Sequence, residues 1–423
     1  VSRSQSYDAL GRPVTRTQRR GTEPAHSDSF SYNGRNELTG AALGAAPYGY
    51  SYDNIGNRKT AQEPAQELAY AANELNQYTR IEENAEAPFA PTYDASGNQT
   101  LIKTSTGVWT VVYNAANRAV SFTSRNGNTI IECGYDYQGR RYMKKVTQNG
   151  TVASHERYLY RGYLQIAALD MLNSRNVLRT LLWDPLEPTA TRPLALAQDA
   201  SLYCYGVDFN KNVTEVFDAQ GAVAATYDYS PYGQAASTGD LVQPVQWSGE
   251  MHDEDFALVY YNYRFYNPRD GRWINRDPIT EQGGWNLYAF LGNSTQDKFD
   301  TFGLQALDSL SNTVIQGLAA GKISEVATLL GYSTAAALVA ALTEGGYKLK
   351  CKACNPPVGS QRQQCHRNHT HNGWNPHYHI FTVNQSPIVA DCRCFDKRTT
   401  ISNNHNYPEY TGRPTGGGIE VIK

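Results

Sequence analysis

Cys351-x-x-Cys354, followed by Cys365 and then by His369 four residues on, puts thiolates and an imidazole in an order that suits tetrahedral zinc. Cys392-x-Cys394 offers further ligands or a disulfide partner. Five cysteines lie after residue 350, so they cannot all pair with one another. Zinc, disulfides and free thiols therefore all stay open. A histidine cluster, His366, His369, His371, His377 and His379, overlaps this set. Pro376-His377-Tyr378-His379-Ile380-Phe381-Thr382-Val383 alternates like a strand and sets His377, His379, Phe381 and Val383 on one face. Two imidazoles about 7 Å apart along a strand could share a metal. They could equally deprotonate a 2′-hydroxyl and protonate the leaving oxygen of an RNA chain, with His369 and His371 as further candidates. Arg362, Arg367, Arg393, Lys397 and Arg398 could contact phosphate. A solvated or metal-structured cluster accounts for the same histidines. After residue 304 there is no His-x-Glu, as zinc deaminases of nucleic acids need, and no His-Glu-x-x-His.

The elements that must hold such a site are legible upstream. The chain has 423 residues, enough for two or three domains. Charged residues are 18%, against about a quarter in ordinary domains, and there are 30 tyrosines and 35 glycines beside 3 methionines. That balance predicts many short strands and turns. A net charge of −2 gives no global field for nucleic acid or membrane. No run of about eighteen apolar residues occurs, so no spanning helix is expected. Residues 1–20 lack the apolar stretch of a secretory signal, and Val1 is not a start residue, which points to a piece of a longer chain. Cys133 and Cys204 stand alone, whereas the other cysteines and six of the nine histidines follow residue 350, so composition changes late in the chain.

A repeat is visible by eye. It runs aromatic, Asp or Asn, short gap, Gly or Asn, polar run. Copies begin at Tyr7-Asp8, Tyr32-Asn33, Tyr52-Asp53, Tyr70-Ala71, Tyr93-Asp94, Tyr113-Asn114 and Tyr135-Asp136, at intervals of 25, 20, 18, 23, 20 and 22 residues. Phe217-Asp218 and Tyr227-Asp228 start degenerate copies. Each unit reads as a hairpin: tyrosine ends a strand, Asp or Asn turns the chain, and Gly or Asn takes positive φ. A lone hairpin is unstable, so the units must pair edge to edge. These units resemble the YD repeats of Rhs proteins, teneurins and the C subunits of insecticidal toxin complexes. The resemblance implies a spiralling sheet that forms a hollow shell around a passenger, here only part of such a shell.

Residues 247–304 carry a second resemblance. Trp247-Ser248-Gly249-Glu250, Tyr260-Tyr261-Asn262-Tyr263-Arg264-Phe265-Tyr266-Asn267-Pro268, Gly271-Arg272-Trp273, Arg276-Asp277-Pro278, Gly283-Gly284-Trp285-Asn286-Leu287-Tyr288 and Asp300-Thr301-Phe302-Gly303-Leu304 closely resemble the Rhs-associated core domain. Many members of that family cut themselves after the final leucine with two aspartates. The resemblance implies Asp277 and Asp300 for that role, with Arg276 beside the first, and the bond Leu304–Gln305. Two close carboxylates can share a proton, one acting as base on water while the other polarises the carbonyl. Taken without the family, Asp-Pro and Asp-x-x-Gly are ordinary turn signals. Thr301 replaces the family's proline and Ser294-Thr295 its Asn-Pro, which predicts a looser turn at the bond.

After Leu304 the sequence predicts helices. Leu307, Leu310, Val314, Ile315 and Leu318 keep a helical period, and Ile323–Leu342 is rich in Ala, Leu and Val. Ser324, Glu325 and Thr328 suit packing on protein better than entry into lipid. Gly416-Gly417-Gly418 reads as a turn. The expected fold is mainly β: a partial YD-repeat spiralling β-sheet shell followed by a small α+β C-terminal domain. Its parts are the repeat shell at 1–246, the core segment at 247–304, a helical linker at 305–345 and a Cys/His-rich domain at 346–423. The expected function is that of an Rhs-type polymorphic toxin, secreted or at the cell surface and delivered into competing cells. The tail would be its cargo and a nuclease, with nucleic acid as substrate, and an immunity protein and secretion machinery as partners. A different class, a structural or adhesive surface module with a zinc-stabilised binding tail, fits the same residues.

Overall fold

The computed structural model describes residues 1–304 except 85, 186–191 and 301. It also describes the backbone of strands at Leu307–Asp308, Lys348–Cys351, Gln361–His366, His377–Gln385, Arg393–Ile401, Thr411–Gly417 and Ile419–Ile422. One local device builds the repeats. After the strand Ser2–Tyr7, Asp8 Oδ1 accepts the backbone N–H groups of Leu10 and Arg12 at 2.9 and 3.0 Å. The Asp8 N–H donates to the Arg12 carbonyl, and the Gly11 N–H to the Asp8 carbonyl. The same side-chain bonds, to the residues two and four ahead, recur at Asn33, Asp53, Asn73, Asp94, Asn114, Asp136, Asp208 and Asp218. Asp and Asn interchange because each offers the one oxygen the turn needs. The residue three ahead has positive φ, as at Gly97 (84°) and Asn117 (56°), which explains the Gly/Asn alternation.

A second device ties each repeat to the one before. The tyrosine preceding the turn donates its hydroxyl to a carbonyl five residues past the Asp or Asn of an earlier turn, the next one back except at Tyr229, which reaches past the Asp218 turn to that of Asp208. The bonds are Tyr32 to Pro13, Tyr52 to Leu38, Tyr113 to Gln99, Tyr135 to Ala119 and Tyr229 to Val213, at 2.6–2.9 Å. This abundance of half-buried phenols with polar tips is why the chain is rich in tyrosine.

The structure corrects the register of two repeats. The turn at Asn73 follows Ala72, with Tyr70 two residues earlier and packed on Tyr78 at 4.7 Å between ring centres. With Ala72 in place of Tyr70, the intervals become 25, 20, 20, 21, 20 and 22 residues. Likewise Ser230, not Asp228, occupies the turn position, its hydroxyl accepting the Gln234 N–H. Residues two apart share a strand face, so an aromatic pattern alone cannot fix the register. The turn at Asp208 lacks an aromatic before it, Val207 standing there, and so escapes the sequence pattern.

The hairpins line up in strict chain order. Eight strands from Ser2–Tyr7 through Tyr78–Glu83 form one antiparallel meander, and fourteen from Thr92–Tyr93 through Ala235–Thr238 form another. Glu215, fully buried in the second, pairs with Arg3 and Arg20 of the first. Residues 247–304 form a short sheet, Met251–Asp253, Leu258–Tyr261, Arg264–Asn267 and Arg272–Trp273, whose second and third strands are buried throughout. Apolar side chains of this segment complete the core of the second meander: Phe256 stacks on Phe122 at 4.3 Å, and Leu258, Tyr260, Phe265 and Ile274 join the same cluster.

Residues 1–309 form one compact unit and 310–423 a second. Leu307–Asp308 pairs antiparallel with Lys298–Phe299, so Leu307 does not open a helix as its spacing predicts. The rest of the expected helical segment at 305–345 lies outside the described residues. In the second unit, Lys348–Cys351 pairs with Ile419–Ile422, and the other four strands form a meander. Gly416 and Gly417 belong to its last strand rather than to a turn. Among the described residues no helix is long and apolar enough to cross a membrane.

Candidate self-cleavage site

The inner segment is seated on the repeat turns by polar side chains. Asn293 Nδ2 donates to the Gly56 carbonyl, Arg272 Nη2 to that of Asn76 and the Tyr288 hydroxyl to that of Gly97, at 2.9, 2.7 and 2.7 Å. These acceptors are the positive-φ residues of three successive turns. Arg118, after the next turn, donates back to the Asn262 carbonyl at 2.9 Å. These bonds each join a side chain of the segment to one particular turn, so the seating is specific in register.

This seating brings together Asp277 and Asp300. Asp277 Oδ1 accepts the Ile279 N–H at 3.0 Å, and its Oδ2 lies 2.9 Å from Arg264 Nη2. Asp300 Oδ1 accepts three backbone N–H groups, of Phe302, Gly303 and Leu304, at 3.0, 2.8 and 3.2 Å, and its Oδ2 lies 3.8 Å from the same Arg264 nitrogen. Arg264 Nε donates to the Gly303 carbonyl at 2.6 Å, and the guanidinium stacks over Trp273 at 4.0 Å. All three side chains are buried. Burial raises both carboxyls above their ordinary range, and Arg264 draws them back only in part. Burial also pushes Arg264 down to about 10, against the pull of the two aspartates, so it stays charged at neutral pH. The site therefore sets one buried cation against two buried carboxyls.

Arg276 is not the cation beside Asp277. Its guanidinium lies against the Gly97 turn, where a Cβ on Gly97 would come within 2.5 Å of Arg276 Nε. The partner is Arg264, which spacing along the chain does not connect to either aspartate. Its sequence signal was a charge inside the aromatic strand around Tyr263 and Phe265, which burial on both faces makes expensive unless it is paired. Gly303 has φ +73°, and a Cβ there would meet the Tyr261 carbonyl at 3.0 Å, so the bend before the bond needs glycine on two counts. The expected looseness does not extend to Ser294 and Thr295. Ser294 donates to Asp297 and Thr295 to the Pro231 carbonyl, at 2.6 and 2.5 Å. Thr301 lies outside the described residues.

In the second unit, His377 and His379 lie on the strand His377–Gln385, opposite His366 and Gln364 in register. Cys351 and Cys365 lie on strands opposite Ile419 and Tyr378. Cys354, His369 and His371 lie outside the described residues.

The Teneurin YD-shell family pattern matches residues 1–294. Among curated proteins, the tRNA3(Ser)-specific nuclease WapA of Bacillus spizizenii is 26% identical over 258 residues, 58% of this chain and 10% of that protein. The toxin protein Tse5 of Pseudomonas aeruginosa is 26% identical over 366 residues, 71% of this chain and 27% of that one. The chain thus spans a tenth of the first and about a quarter of the second. A solved Tc holotoxin pore of Photorhabdus luminescens matches 72% of this chain and 18% of its own with a TM-score of 0.50 at 18% identity, which is a likeness of fold.

Proposed function

The chain belongs to the YD-shell family, in its Rhs/YD-repeat polymorphic-toxin line, and from that premise we propose that residues 1–304 are the encapsulating end of a toxin that cuts itself after Leu304. The observation that supports the cut is the buried Asp277–Arg264–Asp300 group, with Asp300 holding the Leu304 N–H itself. Mass spectrometry of the purified chain is expected to find a fragment beginning at Gln305. Asp300→Asn and Asp277→Asn are expected to leave the chain whole. A wild-type chain that stays intact defeats the reading.

The released tail acts, in this reading, as a nuclease on RNA against competing cells, with His377 and His379 as its acid/base pair and His369 and His371 nearby in sequence. The names of the WapA relatives, tRNA nucleases, support that class. The tail is the shell's cargo, an immunity protein guards the producer, and secretion machinery delivers the toxin. Expression of residues 305–423 in bacteria is expected to stop growth and degrade RNA, and His379→Ala to relieve both. Harmless expression favours the other class, a surface module with a binding tail. Zinc on Cys351, Cys354, Cys365 and His369 belongs to the same proposal. Metal analysis of the full chain should find one equivalent, lost in Cys354→Ser.

A further inference from the structure

We propose that Arg264 is the positioning residue of the self-cleavage reaction: one guanidinium ties both aspartates to the peptide plane that precedes the bond to be cut. The inference rests on the reading that the chain cuts itself after Leu304. The peptide between Gly303 and Leu304 is a rigid plane. Arg264 Nε holds its carbonyl at 2.6 Å and Asp300 Oδ1 holds its N–H at 3.2 Å, so both polar ends of the plane are fixed. Only the two soft torsions of Leu304 then separate this anchored plane from the Leu304 carbonyl. The Gly303 N–H, bonded to the same Asp300 oxygen at 2.8 Å, fixes the plane before it. Arg264 Nη1 is buried and without a hydrogen-bond partner among the described residues, an open donor in a site otherwise filled.

The charges agree with this role. A carboxyl pair sharing one proton carries one negative charge, and Arg264 balances it, whereas a fully ionised pair would leave a buried charge unpaired. In the reaction, the ionised aspartate takes a proton from water as the water oxygen bonds to the Leu304 carbonyl carbon. The protonated aspartate supports the carbonyl oxygen. The Leu304–Gln305 C–N bond then breaks, the nitrogen of Gln305 takes up a proton from the pair, and Leu304 keeps the new carboxyl. Arg264 gives up no proton; it holds the plane and sets the charge.

The test follows self-cleavage of the full-length chain across a pH series, by intact mass. Arg264→Lys keeps the charge and loses the Nε bond to Gly303. It is expected to cut about 10²-fold more slowly over an unchanged pH range. Arg264→Gln removes the cation that pulls both carboxyls down, so both limbs of its pH profile are expected to move to higher pH. Arg264→Lys cutting as fast as wild type, or Arg264→Gln keeping the wild-type limbs, overturns the proposal. If Arg264→Gln does not fold, as judged by loss of a protease-resistant core, the rate of Arg264→Lys decides alone. A wild-type chain that never cuts defeats the self-cleavage reading itself, and this proposal with it. That outcome is recognised because wild type and Asp277→Asn are then alike.

Discussion

Arg141, at the start of a strand in the fourteen-stranded meander, donates to Asp253 of the inner segment at 2.8 Å, and both are buried. Lys144 reaches the other oxygen of the same carboxylate. The two cations overcome the cost of burial and hold Asp253 down at about 2. An unfolded aspartate titrates near about 3.9, so this group's contribution is complete above that value and is lost as pH falls toward 2. Asp253→Asn strands the buried Arg141, while Lys144 keeps Asp255, and is expected to cost about 3–5 kcal/mol. Denaturant titration at pH 7 checks the loss, and the gap between wild type and variant should shrink in acid.

Tyr135 and Tyr137 are two residues apart and do different things. Tyr135 donates to the Ala119 carbonyl at 2.8 Å, whereas Tyr137 is 92% exposed. Tyr135→Phe leaves a carbonyl of the preceding repeat unpaired and should cost about 1–2 kcal/mol. Tyr137→Phe should stay within about 0.5 kcal/mol of wild type. Equal effects in chemical denaturation would remove the hydroxyl tie between repeats.

Gly97 and Gly221 fill the same turn position, at φ +84° and +83°. A Cβ on Gly221 meets nothing within 4 Å, while one on Gly97 meets Arg276 Nε at 2.5 Å and the Tyr288 hydroxyl at 2.7 Å. Both alanine variants carry the backbone strain, about 1–2 kcal/mol. Gly97→Ala should lose more stability than Gly221→Ala, and the excess should disappear when Gly97→Ala is made in a chain already carrying Tyr288→Phe and Arg276→Ala.

Cys133 is buried and Cys204 exposed. Burial pushes the Cys133 thiol up, with Arg141 opposing it in part. Peptide mapping after alkylation at pH 8 should find Cys204 modified in the native protein and Cys133 only after unfolding. Labelling of both at one rate would contradict the core around Cys133.

The repeats were legible because their turn chemistry is written in adjacent residues: Asp8 to Arg12 settle one turn among themselves. What failed was register. Tyr70 and Ala72 lie on one strand face, and the turn in which Asn73 Oδ1 accepts the Leu75 and Gln77 N–H groups tells them apart. The two aspartates were legible through the family resemblance, and the cation was not. Arg276 is adjacent in sequence but turned away, whereas Arg264 reaches the pair from another strand through tertiary packing. The helical period at Leu307 yielded to strand pairing with Phe299, a case of context overriding a weak local preference.

The hydroxyls of Tyr32, Tyr52, Tyr113, Tyr135 and Tyr229 reach backward, to carbonyls already made by the ribosome. These ties close like a ratchet as the chain lengthens, each on backbone already made. The segment that seats on Gly56, Asn76 and Gly97 follows all of these repeats in the chain. The pocket around Asp277 and Asp300 therefore has its seat only once the repeat wall stands.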